Sequence, residues 1–141
     1  MSIMNNSQNF FYHFGHISTI LLLLIYFILV FIERSYLKRN LSKICELAFD
    51  NNNYFTKIDL GNYLVLSFLP IVIQIGFLRE KIILKRKVVF PNPPILFSSI
   101  NDKKMNTFFK KYKTWLYISN IKWISGILWL IIGGLMLLYS K

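Results

Sequence analysis

The sequence predicts an all-α membrane protein in which two helices, at about 10–32 and 119–139, cross the bilayer. Hydrophobic residues make up 55% of the 141 residues and charged residues only 16%, which leaves too little polar surface for a soluble domain. The apolar residues are gathered into helix-length stretches, and basic segments separate those stretches. A chain of this length predicts one integral membrane domain over 1–141.

The first span is predicted by a stretch of 23 residues, 10–32, without Asp, Glu, Lys or Arg. As a helix it would extend about 34 Å, which exceeds a hydrocarbon core of roughly 30 Å. The tail MSIMNNSQN before it has no Lys or Arg, whereas the basic segment ERSYLKRN follows it. Because positive flanks stay on the cytoplasmic side, we expect the N-terminus outside and residue 33 inside. His13 and His16, with no further ligands nearby, are interpreted as interfacial residues.

The second span is predicted at 119–139 and contains the sequence WISGILWLIIGGLMLLY. Trp123 and Tyr139 lie where interfacial aromatic residues are expected, and Lys122 can extend to the headgroups. Gly126 and Gly133 are seven residues apart and share one helix face. These two glycines are candidates for helix packing, against a helix of this chain or of a second copy.

An apolar middle segment, 62–78, has the sequence NYLVLSFLPIVIQIGFL and contains Pro70 and Gln74. Five Lys or Arg precede it within 33–61 and ten follow within 79–121. A crossing at this segment would place one positive loop outside, so charge favours two spans, both termini outside, and a basic cytoplasmic region at 33–118. The segment is then a proline-broken re-entrant or interfacial element, or the buried centre of a helical domain; a third span is the alternative.

Two stretches of the basic region have helical periodicity, and each places apolar residues on one face. The first, 34–48, ends before the turn-forming DNNN of 50–53. The second, KKMNTFFKKYKTWLYI at 103–118, follows the possible caps Asn101 and Asp102. Its aromatic stripe suits either an anionic membrane surface or an ordinary core. PNPP at 91–94 predicts a bend between the two. The residues expected to face lipid or a partner are Arg34, Lys38, Arg39, Lys103, Lys104, Lys110, Lys111, Lys113 and Trp115.

Motifs of catalysis are not found: the sequence has no glycine-rich phosphate loop, no nucleophile elbow and no zinc pattern. The six carboxylates are scattered among cations, and Cys45 is the single cysteine. We therefore expect no enzyme activity, no cofactor and no metal site. A net charge of +11 beside lipid-compatible segments favours anionic membrane lipids, with a homo-oligomer or a membrane protein partner as further possibilities, over nucleic acid. The alternative function is a three-span pore-forming or transport-associated subunit built around Pro70 and Gln74.

The order of segments along the chain also resembles the layout of a known protein family. A neutral first span is followed by the basic helix SYLKRNLSKICELA, the Asx-rich stretch DNNNYFTK, and a basic helix that leads into the last span. Over 10–61 and 101–140 this layout resembles the universal stress protein B family of small bacterial inner-membrane proteins; segment 62–78 is more apolar than the interior of that family. The resemblance implies a multi-pass, stress-associated protein of the bacterial inner membrane with two spans and no catalytic residues.

Overall fold

The computed structural model describes residues 2–87, 97 and 99–139, with side chains for 13–87, 97 and 99–138, and the secondary structure of this part of the chain is all-helical. The all-α class predicted from the sequence is thereby confirmed. Within the described residues, three helices are long and apolar enough to cross a membrane: His13–Phe49, Leu60–Ile83 and Lys113–Leu138. The predicted bend at 91–94 lies outside the described residues. The elements are α1 (Ser2–Phe49), α2 (Leu60–Phe77), a π-helical turn (Leu78–Ile83), α3 (Asp102–Lys111) and α4 (Lys113–Tyr139).

The helices form two compact units. The first, which we call the hairpin unit, comprises Met1–Phe31 and Asn120–Lys141. The second, the basic unit, comprises Ile32–Ser119, and its bounds lie one residue outside the predicted region 33–118 at each end. All six acidic residues and fifteen of the seventeen Lys and Arg belong to the basic unit, a net charge of +9.

Helix α1 continues without interruption from the apolar stretch into the basic one. Neither glycine nor proline occurs between residues 16 and 49, so no residue in this range disfavours helix strongly. The helix ends at Asp50, whose φ of 54° is left-handed, as short Asx side chains tolerate. Of the apolar face predicted at Leu37, Leu41, Ile44 and Ala48, Leu41 is partly exposed and the other three residues are fully buried.

Aromatic residues cover the end of α1. Phe49 stacks on Tyr54 with 4.0 Å between ring centroids, and Phe55 and Phe97 lie 5.5 and 5.7 Å from the same ring. The hydroxyl of Ser99 donates to the carbonyl of Ala48 at 2.5 Å, which satisfies one of the carbonyls left open at a helix C-terminus.

Helix α2 is capped at its start by Asp59, which accepts a 2.8 Å hydrogen bond from the amide of Asn62. It continues through Pro70, so the proline-broken alternative for this segment is wrong. Pro70 is buried in the packed face of the helix, and the amide of the Gln74 side chain donates to its carbonyl at 3.1 Å. Packing on both sides of the proline keeps the helix intact.

The second basic stretch divides into two helices at Tyr112. Asn101 caps α3 by accepting a 3.0 Å hydrogen bond from the amide of Lys104, which confirms the predicted cap. Tyr112, with φ −110° and ψ 29°, separates α3 from α4. Backbone hydrogen bonds continue on either side of Tyr112, to Phe108 and from Leu116, so the chain changes direction without leaving these groups unpaired.

Candidate functional site

A buried carboxylate, that of Glu33, lies at the centre of the basic unit. Its side chain is fully buried. One carboxylate oxygen accepts a hydrogen bond of 2.7 Å from the hydroxyl of Tyr63, and the other accepts one of 3.1 Å from Nε1 of Trp115. A buried carboxylate is costly unless donors satisfy its oxygens. Glu33 thereby connects α1, α2 and α4 within this unit.

Local sequence places each member of this cluster. Glu33 is in helical register with Leu37, Ile44 and Ala48, so it belongs to the same buried face of α1. Tyr63 is in the first turn of α2, which Asp59 caps. Sequence reasoning interpreted Glu33 as charge balance and missed this role. The available signal was the four-residue spacing from Glu33 to Leu37, which puts a carboxylate on an apolar face.

Trp115 is the aromatic centre of the same core. Its ring stacks on Tyr36 at 6.4 Å and meets Phe108 edge-on at 5.5 Å. It is fully buried, so the prediction that Trp115 faces lipid or a partner is wrong. Met105, Phe108 and Tyr112 are buried with it, which shows that the aromatic stripe is core. Burial, and secondarily the nearby Tyr36 and Glu46, raise the pKa of Tyr112, so its phenol stays neutral at physiological pH.

Most of the predicted cationic residues do lie at the surface of the basic unit. Lys104 is the exception, because its side chain is only 21% exposed and its ammonium pairs with Asp50. The guanidinium of Arg34 also donates to the carbonyl of Ile58 at 3.2 Å. The exposed predicted residues are Arg34, Lys38, Arg39, Lys103, Lys110, Lys111 and Lys113.

Acidic residues neutralise only part of this surface. Glu33 is buried in the core, and Glu80 is buried within the π-helical turn. Glu80 lies 3.1 Å from the guanidinium of Arg86 and 3.6 Å from that of Arg79. Glu80 therefore offsets part of the charge of Arg79 and Arg86, and Asp50 offsets that of Lys104, so the remaining excess of cations lies on the other exposed Lys and Arg of the basic unit.

The two predicted helix-packing glycines lie on α4 in the hairpin unit. A Cβ on Gly126 would meet the ring of Tyr26 at 3.2 Å, and one on Gly133 would lie 3.7 Å from the methyl group of Thr19. Gly15, which sequence reasoning did not single out, faces Met136. These pairs order α1 and α4 antiparallel, with small residues opposite larger side chains, as close helix packing in membranes favours.

The described residues contain no set of metal ligands: no group of three or more His, Cys, Asp or Glu among them could hold a metal ion.

Comparison with known proteins gives no relatives: no family model, no curated protein and no solved structure matches the chain. The arrangement that remains is an exposed cationic surface on a helical unit with a packed aromatic core, and the electrostatic field of such a surface attracts anions.

Proposed function

We propose that this chain is a small, non-catalytic membrane protein whose basic unit binds the anionic headgroups of phospholipids. The observation that carries the proposal is the exposed cationic surface of the unit Ile32–Ser119, with fifteen Lys and Arg against six acidic residues. Each Lys or Arg near an anionic membrane surface contributes about 1 kcal/mol of attraction, which salt weakens.

The proposed topology has two spans, with α1 and α4 crossing and α2 remaining on the side of the basic unit. The candidate span of α2 has the lowest mean hydropathy of the three, 1.7 against 2.5 for α1 and 2.0 for α4. It also has the largest fraction of buried residues, 33% against 0% for α1 and 11% for α4. The positive-inside rule favours the same arrangement because it keeps all fifteen cations of the basic unit on one face. We place this face in the cytoplasm and both termini outside, in a bacterial inner membrane.

The lipid preference can be measured in reconstituted bilayers with spin-labelled phosphatidylglycerol and phosphatidylcholine, as the ratio of their association with the full-length protein. We expect a preference for phosphatidylglycerol that declines as salt rises. Joint replacement of four exposed lysines by glutamine is expected to reduce the preference by more than half. Lys104 is left unchanged because it pairs with Asp50. The replaced residues are Lys103, Lys110, Lys111 and Lys113.

The matched control replaces the same four lysines by arginine, which keeps the charge, and should retain the preference. A wild-type protein without selectivity, or glutamine and arginine variants that behave alike, would contradict the proposal. Circular dichroism of both variants checks that the helical fold is kept.

A second candidate function is a three-span pore-forming or transport-associated subunit. It is favoured by the continuity of α2 through Pro70, which leaves a helix long and apolar enough to cross. Against a pore lining, the Gln74 side chain bonds to the backbone of its own helix. Conductance of the purified protein in liposomes, abolished in Gln74→Leu, would establish this function instead.

The role in the cell and the partners follow from the resemblance and the charge. The segment order that resembles universal stress protein B supports a stress-associated role, which a growth comparison of deletion and complemented strains under starvation and oxidative stress would test. A homo-oligomer through the glycine face of α4, or a membrane protein partner, is compatible with lipid binding, whereas nucleic acid is not proposed.

A further inference from the structure

Helix α2 has two distinct faces. Its buried face packs into the basic unit and comprises Tyr63, Leu66, Ser67, Leu69, Pro70 and Ile73. On the opposite face, large apolar side chains recur every three, four or seven residues, so they form one continuous row. Their exposed fractions range from 42% to 73%. The row consists of Leu60, Leu64, Phe68, Ile75, Leu78 and Ile82.

The other amphipathic helix of this unit cannot supply such a row. In α3, Met105 and Phe108 are buried in the core, and the exposed positions are polar or cationic. Among the described residues of the basic unit, α2 with its π-helical turn is therefore the element where an exposed apolar row adjoins exposed cations. Those cations lie at the C-terminal end of the row, and two of them, Arg79 and Arg86, share Glu80 as their ion-pair partner; the others are Lys85 and Lys87.

The positive charge beside the apolar row indicates which kind of partner this element can bind. A second copy would bring the same cations and a unit of net charge +9 against the first, which like-charge repulsion disfavours. An anionic phospholipid layer offers acyl chains to the apolar row and phosphates to the adjoining cations, as amphipathic interfacial helices require.

We propose that α2 and the π-helical turn form an interfacial element, whose apolar row enters the acyl region of the same anionic leaflet that the lysines of the basic unit contact. The inference rests on the proposed function and adds the contact site to it. In this placement the helix lies within one leaflet and does not cross the bilayer.

Depth-dependent quenching in full-length protein tests this placement. In a Cys45→Ala background, single cysteines at Leu64 or Ile75 carry an environment-sensitive fluorophore in phosphatidylglycerol and phosphatidylcholine vesicles. The fluorescence is quenched by lipids that carry a nitroxide group either near the headgroup or near the bilayer centre. The two positions are about 16 Å apart along the helix. We expect both to be quenched at least about twofold more by the headgroup-proximal nitroxide than by the deep one.

Two control positions define the scale. Phe27→Cys, exposed in the hairpin unit, should be quenched strongly by the deep nitroxide. Asn106→Cys, on the exposed face of α3 beside Lys103 and Lys110, should be quenched only weakly by the headgroup-proximal nitroxide and not by the deep one. Leu64 and Ile75 signals as weak as that of Asn106, or energy transfer between labelled copies at these positions, would overturn the inference. So would one position being deep and the other shallow, the pattern of a crossing helix.

The outcome is separable from that of the proposed function. If quenching at α2 is weak but the preference for phosphatidylglycerol is retained, only the proposal of an interfacial element is ruled out. If the headgroup-proximal nitroxide quenches strongly but the protein shows no lipid preference, the proposed binding of anionic headgroups is ruled out. The claim that α2 contacts a specifically anionic leaflet is then ruled out as well.

Discussion

Replacing Trp115 by alanine is expected to destabilise the basic unit by about 3–5 kcal/mol, the cost of removing a large aromatic side chain from a packed core. Trp115 is fully buried, packs against Tyr36 and Phe108, and donates to Glu33. The substitution removes these contacts together. In detergent micelles, the thermal midpoint measured by circular dichroism should fall by more than about 10 °C.

Two variants separate packing from hydrogen bonding. Trp115→Phe keeps an aromatic ring but removes the donor to Glu33, so we expect a smaller loss of about 1–3 kcal/mol. Tyr117→Ala removes an aromatic residue that is 64% exposed on the same helix, and its effect should stay within about 0.5 kcal/mol. Equal midpoints for Trp115→Ala and Tyr117→Ala would show that Trp115 is not a core residue.

Removal of the carboxylate in Glu33→Ala should lower the free energy of unfolding by about 3 kcal/mol or more. Each hydrogen bond to a charged acceptor contributes about 1.5–3 kcal/mol, and Glu33 accepts one from Tyr63 and one from Trp115. The alanine variant removes both and leaves a cavity in the core. Unfolding in detergent, followed by circular dichroism, measures the difference.

Glu46 supplies the matched control because it is an exposed glutamate on the same helix. Glu46→Ala should change stability by no more than about 0.5 kcal/mol, whereas Glu33→Gln, which keeps one acceptor oxygen, should give an intermediate loss. If Glu33→Ala were as stable as Glu46→Ala, the buried cluster would have no part in holding α1, α2 and α4 together.

Local chemistry predicted several elements correctly. The apolar face of α1 at Leu37, Ile44 and Ala48 follows from spacing alone, since side chains three or four residues apart share a helix face. The end of α1 at Asp50 and the Asn101 cap of α3 follow from residues that satisfy or replace backbone hydrogen bonds near themselves.

Features that depend on distant contacts could not be predicted in this way. Pro70 left a broken and a continuous helix both open, because its missing N–H is a local property, while the packing that keeps α2 intact is tertiary. The aromatic stripe that contains Trp115 fits a membrane surface and a core equally well by periodicity. The structure identifies it as core, because Trp115 is fully buried and donates to the buried Glu33.

The proposed function depends on the topology, because lipid binding by one cationic surface requires the whole basic unit to lie on one side of the membrane. In a Cys45→Ala background, Lys57→Cys and Asn106→Cys place exposed thiols before and after α2. His13→Cys reports the outer edge of the first span. A maleimide that cannot cross membranes is added to intact bacterial cells or to disrupted ones.

We expect His13→Cys to react in intact cells, and Lys57→Cys and Asn106→Cys to react only after disruption. Reaction of either Lys57→Cys or Asn106→Cys from outside, with the other protected, would show that α2 crosses the bilayer and would contradict the proposed two-span protein.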